Sequence, residues 1–375
     1  MSLYLDYNAT CPVRPQAIDA IAQTLGRVGN PSSIHAAGRT ARAVVEAARN
    51  DIAALVGGPA STVVFTGCGT EANALAIDSA VATGSRRLII SAIEHDSVIE
   101  TAKVSGAAVE YLPVTADGVA DLAWLQARLA AWDPADGRPF VALMLANNET
   151  GVIQPVLEAS ELVRAAEGWL HVDAIQAAGK ILTDSRAMGA DTLAISGHKF
   201  GGPQGVGALT FGPRATLVRR QHGGGQERGR RAGTENVAGI AGLAAAARAA
   251  MVEAIDPAPR DAAAAALKAL GAVVIGEAAP RLPNTLCVAM PGWGSDLQVM
   301  ALDLAGLMVS AGSACSSGKV KASHVLVAMG QDELGGCAIR VSGGWGTTAA
   351  DWASFVETWS KSHSQFVARH RAPAA

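Results

Sequence analysis

From about residue 40 to residue 255, short apolar runs alternate with alanine-rich stretches of helical length, and this alternation leaves few folds open to the chain. The runs fall at 63–66, 88–91, 141–145, 170–173, 192–195 and 207–211. Strands that return parallel to a neighbour need a crossover, usually a helix, so repeated strand–helix units predict an α/β fold with a largely parallel sheet wrapped by helices. In such sheets the carboxyl ends of the strands line the ligand crevice. Polar residues gather at those ends: 67–71 after the first run, Glu94 and His95 after the second, Asn147, Asn148 and Glu149 after the third, Asp173 and Gln176 around the fourth, and Ser196, His198 and Lys199 after the fifth.

Beyond Pro257 the pattern changes. A helix over 261–270, strands at 273–275 and 285–290, a helix over 295–305, a strand at 338–342 and an amphipathic helix over 351–366 predict a smaller α+β domain. The expected division is a large domain of residues 14–256 and a small one of 1–13 with 257–375. With 375 residues, half of them hydrophobic, the chain can bury two such cores. A net charge of −3 gives no global attraction to nucleic acid or membrane. The first ten residues lack the basic and apolar parts of a signal peptide, and residues 237–255 suit a buried helix better than a bilayer span, so a cytoplasmic protein is expected. Five widely spaced cysteines, with no Cys-x-x-Cys and no paired histidines, indicate neither a disulfide framework nor a zinc site.

Lysine is scarce, seven residues in the whole chain, yet Lys199 follows a core strand in Ser196-Gly197-His198-Lys199. Such a lysine either snorkels into water or sits in a closed site, where its amine loses its proton readily and forms a Schiff base. A second signal is the turn Gly67-Cys68-Gly69-Thr70-Glu71-Ala72 between a strand and a helix, where backbone N–H groups and the helix N-terminus favour an anion. The turn also satisfies G-x-G-x-x-A, with Glu94 placed for a ribose contact, so a dinucleotide, a single phosphate and a plain structural turn all remain open there. The dinucleotide leaves Lys199, Asp173 and His95 without a role. Pyridoxal 5'-phosphate employs all three: it needs a lysine, a carboxylate against its ring nitrogen, a phosphate cup and a flat group over the ring. Asp173, which could instead cap a helix, supplies the carboxylate. His95 can stack on the ring, and the amides of Asn148 and Gln176 can bond its phenolic oxygen.

The order of motifs resembles the class-V aminotransferase family of fold-type I pyridoxal-phosphate enzymes, and within it the cysteine desulfurases of the nitrogen-fixation and iron–sulfur-cluster type. The matching stretches cover nearly the whole chain: 4–10, 30–35, Thr70-Glu71-Ala72-Asn73, Glu94-His95, 147–151, His171-Val172-Asp173-Ala174, Ser196-Gly197-His198-Lys199, 223–237, 310–330 and 339–342. The resemblance implies a mostly parallel seven-stranded sheet in the large domain. It implies that Lys199 carries the cofactor, that Gly69, Thr70, Ser196 and His198 hold its phosphate, and that Asp173, Asn148, Gln176 and His95 surround its ring. Asn30 and Arg340 would bind the substrate carboxylate, and the lone arginine of an apolar strand suits that task by its bidentate fork.

The stretch 310–321, rich in small residues, carries Cys315, which the resemblance makes the catalytic thiol. L-cysteine would give up its sulfur as a persulfide on Cys315, leaving alanine, with Lys199 as the base at Cα and His95 as proton shuttle; Lys319 and Lys321 would lower the thiol's pKa. Cys287 and Cys337 read as buried and inert. No resident metal is expected, Cys315 being at most a transient iron–sulfur ligand. The arginines of 219–231 lack interleaved aromatics, which argues against nucleic acid. By the resemblance this loop reaches a neighbouring subunit and Thr234 adds a phosphate contact across a homodimer interface. A sulfur-acceptor or iron–sulfur scaffold protein would receive the persulfide. The alternatives are a selenocysteine lyase or another class-V enzyme, and a catalytically silent sulfur-relay scaffold; the thiol at Cys315 and the set Lys199, Asp173 and His95 speak against them. Departures from the usual pattern include Cys68 in the phosphate turn and Gln204 where a basic residue is common.

Overall fold

The computed structural model describes residues 2–312 and 323–371, with side chains to residue 369. Its strands are β1 (Leu3–Tyr4), β2 (Val63–Thr66), β3 (Arg87–Ser91), β4 (Ala108–Leu112), β5 (Phe140–Ala142), β6 (Trp169–Asp173), β7 (Thr192–Ser196), β8 (Gly207–Phe211), β9 (Val273–Val274), β10 (Thr285–Ala289), β11 (Leu307–Met308), β12 (Ser310–Ala311) and β13 (Ala338–Ser342). The helices are α1 (Pro15–Leu25), α2 (Ala36–Val56), α3 (Gly69–Ala82), α4 (Asp96–Val104), α5 (Leu122–Ala130), α6 (Val156–Ala165), α7 (Val237–Val252), α8 (Ala258–Ala269), α9 (Ser295–Leu304), α10 (His324–Ala328), α11 (Asp332–Gly335) and α12 (Ala349–Arg371).

A seven-stranded sheet runs in the order β2-β8-β7-β6-β5-β3-β4. All neighbours are parallel except β8, which pairs antiparallel with both β2 and β7. The sheet is covered on both faces, so its central strands β5, β6 and β7 are buried along their whole length. In β3, Ile89 faces a core shared with Val45 and Ile52 of α2 and Leu243 of α7, whereas Leu88 and Ile90 face Ile77 of α3 and Val98 of α4. The alanine richness has a packing purpose here. Small residues let α7 lie close to α1, and a Cβ at Gly242 would come within 2.6 Å of the Ile21 side chain.

The large sheet departs from expectation in one shorter strand and one added strand. The run 141–145 pairs as a strand only at Phe140–Ala142; beyond it Leu143 and Leu145 each donate one N–H, to the carbonyls of His171 and Asp173, before the chain turns. An additional strand, β4, closes the sheet at its edge, where four of its five residues are at least partly exposed. A four-stranded sheet in the order β12-β13-β10-β9 lies under α8, α9 and α12, with Leu286, Val288, Ile339, Phe355 and Trp359 in its core. Leu5 belongs to that same core, because β1 pairs in parallel with β11 and Tyr7 donates its N–H to the carbonyl of Ser342. Among the described residues no helix is long and apolar enough to cross a membrane.

Candidate active site

The turn after β2 opens the site. Cys68 caps α3, its sulfur accepting the N–H of Glu71 at 3.4 Å, while the N–H groups of Gly69 and Thr70 meet no acceptor among the described residues. Two glycines allow the crowding around this turn. A Cβ on Gly69 would come to 2.3 Å from Ile175 Cδ1, and one on Gly207, in β8, to 2.8 Å from the Cys68 carbonyl carbon. Ser196 ends β7 beside Gly69, and the following 3₁₀ turn, Gly197–Lys199, brings His198 and Lys199 to the same cavity. Two free N–H groups at a helix start, two hydroxyls and an imidazole form a cup suited to a phosphate.

The cavity, about 280 Å³, is also lined by Asp173, His95, Asn148, Gln176 and Arg340. Lys199 does not snorkel outward. Its Nζ donates to the carbonyls of Asn8 at 2.7 Å and Ala9 at 2.9 Å. Asp173, at the end of β6, is 5 % exposed; its Oδ1 accepts the Ile175 N–H and its Oδ2 accepts Asn73 Nδ2 at 2.7 Å. Burial pushes this carboxyl above the usual carboxylate range, against the pull of that N–H, His95, Asn73 and Lys199. It is a strong acceptor waiting for a cationic donor.

Behind Asp173 the polar groups fix one another's protons. Asn73 gives its Nδ2 to Asp173 and to Ser97 Oγ, so its Oδ1 faces His171 Nε2 at 3.0 Å and that nitrogen carries the proton. His171 Nδ1 then accepts from the Thr192 hydroxyl, which itself accepts Trp169 Nε1–H. In His95, Nδ1 accepts the Ser97 N–H at 3.0 Å and caps α4, which leaves the proton of the neutral ring on Nε2. Burial lowers the pKa of His95, so the neutral form is favoured.

Arg340, in β13, holds Asp6 Oδ1 through Nη2 at 2.8 Å and the Asn148 carbonyl through Nη1 at 3.2 Å. Its Nε is buried and meets no hydrogen-bond partner among the described residues. Glu94 has no ribose to meet: it is fully buried, with Oε1 accepting the Met144 N–H, and the dinucleotide reading of the turn ends there. Thr234 and Asn30 do not line this cavity. Both are exposed, and Asn30 Oδ1 accepts the N–H of Ser32. Cys315, with Lys319 and Lys321, lies outside the described residues. Cys287 is buried in β10 with its thiol pushed up to about 12 by burial, whereas Cys337, expected to be buried in a strand, is partly exposed in the turn before β13. Two lining or supporting amides, Asn8 and Asn73, stand in stretches singled out above but carried no role there; their partners are remote in sequence.

The cavity thus pairs an anion cup with a primary amine, a buried carboxylate and an arginine, the donor set that pyridoxal phosphate and an amino acid require. Comparison with known proteins agrees. The family described as "Aminotransferase class-V" matches residues 3–354. A cysteine desulfurase of Cereibacter sphaeroides is 40% identical over 342 residues, covering 87% of this chain and 86% of its own. The cysteine desulfurase IscS of Dictyoglomus turgidum is 37% identical, covering 93% and 91%. Among solved structures, a NifS-like protein from Rickettsia africae superposes with a TM-score of 0.86 at 30% identity, covering 97% of this chain and all of its own.

Proposed function

The chain belongs to the class-V aminotransferase family, among its cysteine desulfurases, and from that premise we propose that the cavity between Lys199 and Asp173 binds pyridoxal 5'-phosphate and removes sulfur from L-cysteine. The observation that carries this reading is the convergence of the Lys199 amine, the buried Asp173 carboxylate and the free N–H groups opening α3 in one cavity.

Gly69, Thr70, Ser196 and His198 would hold the phosphate, Lys199 Nζ would carry the cofactor, Asp173 would serve its ring nitrogen, Asn148 and Gln176 its phenolic oxygen, and His95 would pack against its ring. When bound, pyridoxal phosphate withdraws electrons from the substrate's α-carbon. Arg340 orients the substrate carboxylate, helped by Asn30. The freed Lys199 amine takes the Cα proton, and His95 Nε2 exchanges protons with the reacting groups. The Cys315 thiolate attacks the substrate sulfur; an S–S bond forms, the C–S bond breaks with its electron pair moving to carbon, and protonation there gives alanine. The persulfide on Cys315 passes to a sulfur acceptor in iron–sulfur cluster assembly, in the cytoplasm.

Residues 14–256 form the cofactor-binding domain, and 1–13 with 257–375 the domain that carries the Cys315 segment. A homodimer completes each site, with Thr234 supplied across the interface. Support comes from one face of the chain, where Leu25, Val28 and Ile34 are largely exposed beside a cavity lined by Glu235, whose buried carboxylate is met by Arg42 Nη1 at 3.5 Å and by no hydrogen-bond donor among the described residues. The test is to purify the protein, record its visible spectrum and add L-cysteine with a reductant. A coloured protein that releases alanine and sulfide in equal amounts is expected, and Cys315→Ser should keep the colour while losing sulfide. A colourless protein that takes up no pyridoxal phosphate would overturn the reading.

A further inference from the structure

Gln176 can serve the cofactor's phenolic oxygen only if its amide nitrogen, and not its oxygen, is turned to the cavity. One turn further along the chain, Lys180 decides that orientation. Its Nζ donates to Gln176 Oε1 at 2.9 Å and to Asn8 Oδ1 at 2.8 Å. An ammonium has donors and no acceptor, so it can face only the oxygen of the amide. Gln176 Nε2 accordingly donates to the Asn8 carbonyl at 2.9 Å, which leaves its second N–H for the cavity that Gln176 lines. The same Asn8 carbonyl accepts Lys199 Nζ, and Asn8 Oδ1 also accepts Asn284 Nδ2, so Asn8 joins both lysines to one frame.

We propose, resting on the cofactor assignment above, that Lys180 is a positioning residue: by holding Gln176 Oε1 and Asn8 Oδ1 it fixes the Gln176 amide with its N–H toward the cofactor's phenolic oxygen. No carboxylate forms an ion pair with Lys180 among the described residues; the charged and titratable groups around it are Cys11, His198, Lys199 and Arg340. Burial, with Lys199 and Arg340 against the opposing pull of Cys11, brings its amine down to about 7. A neutral amine still has two N–H groups, the number its two acceptors need.

The consequence is a property of the bound cofactor. A donor on the phenolic oxygen helps it carry negative charge, so the proton shared between that oxygen and the Lys199 nitrogen is released at lower pH. With the donor lost or turned away, that proton is held more tightly and the visible band titrates at higher pH.

The experiment is a spectrophotometric pH titration of the full-length holoprotein as wild type, Lys180→Met, Lys180→Arg, Gln176→Met and the Lys180→Met/Gln176→Met double variant. Lys180→Met should raise the midpoint by about one pH unit, the size of a lost hydrogen bond to a charged group. Lys180→Arg, which keeps donors only, should restore it most of the way. The double variant should titrate like Gln176→Met alone, since Lys180 acts through that amide. An unmoved midpoint in Lys180→Met, or a shift that adds to that of Gln176→Met, overturns the proposal. Should the Met variant fail to fold, Lys180→Leu, which likewise has no donor, is read by the same criteria. A wild type without a titrating visible band would instead overturn the cofactor assignment itself, so the two failures are distinguishable.

Discussion

His171 uses its whole hydrogen-bonding capacity inside the protein, donating to Asn73 and accepting from Thr192. Full burial brings its pKa down from 6.5 to about 3. Between those values the unfolded chain binds a proton that the folded one refuses, so stability falls as pH drops from about 6.5 toward about 3, by roughly 1 kcal/mol per pH unit, and is unaffected above that window. His198, brought down to about 4 by burial and the neighbouring lysines, adds a loss of the same sign. Urea denaturation at a series of pH values should therefore show an acid limb that His171→Gln flattens in part; an unchanged limb would remove His171 as its cause. Lys199 and Asp173 were legible in the sequence because each combines an uncommon residue type with the end of an apolar strand. Asn73 was not. Its value lies in Asp173, 100 residues away, and a local motif cannot show which partner an amide will meet.

At the scale of elements, the loop after β8 is held by a buried ion pair and not by regular structure. Glu227 and Arg228 both adopt positive φ, 46° and 58°, costly for residues with side chains. What holds them is Glu227, 2 % exposed, which receives both terminal nitrogens of Arg49 at 2.7 and 2.9 Å and the N–H of Phe65 in β2. Glu227→Ala leaves Arg49 charged and buried, and should cost about 3–5 kcal/mol in chemical denaturation. The Arg49→Met/Glu227→Met pair should recover most of it; equal losses in the single and double variants would contradict this account. The sequence showed the loop's arginines but gave no sign that its one glutamate is the anchor, since ion pairing across 178 residues leaves no local trace. It also passed over β4, because an edge strand exposed on most of its length lacks the apolar run that marks β3 and β6. By contrast, β2, β6 and β7, buried on both faces, were read nearly to the residue, while β5 was read too long because its apolar run continues past its pairing.

For the whole molecule, the proposed second copy would give the exposed Asn30 and Thr234 a site to serve. Light scattering should report twice the 38.1 kDa chain. Mixed dimers give the sharper test. Lys199→Ala and Thr234→Val are each expected to be impaired, yet a dimer holding one of each contains one site with both native residues, so refolding the two together should restore activity that neither has alone. Absence of recovery in mixed dimers would argue that Thr234 serves its own subunit or none. The entry of the first residues into the cavity was not expected from the sequence, because nothing local to residues 3–9 announces a carbonyl that will bind Lys199.

That N-terminal stretch has a consequence in time. Leu3 and Tyr4 pair with Leu307 and Met308, and the Asn8 N–H donates to Ser342 Oγ, 334 residues later. During synthesis on the ribosome the pairing with residues 307, 308 and 342 must wait until most of the chain has emerged, whereas the Asn8 partners Asn148, Gln176 and Lys199 emerge well before. The strand pairing that fastens the stretch carrying the Asn8 and Ala9 carbonyls is thus completed late in synthesis, so the surroundings of the Lys199 amine reach their final form only in the nearly finished chain.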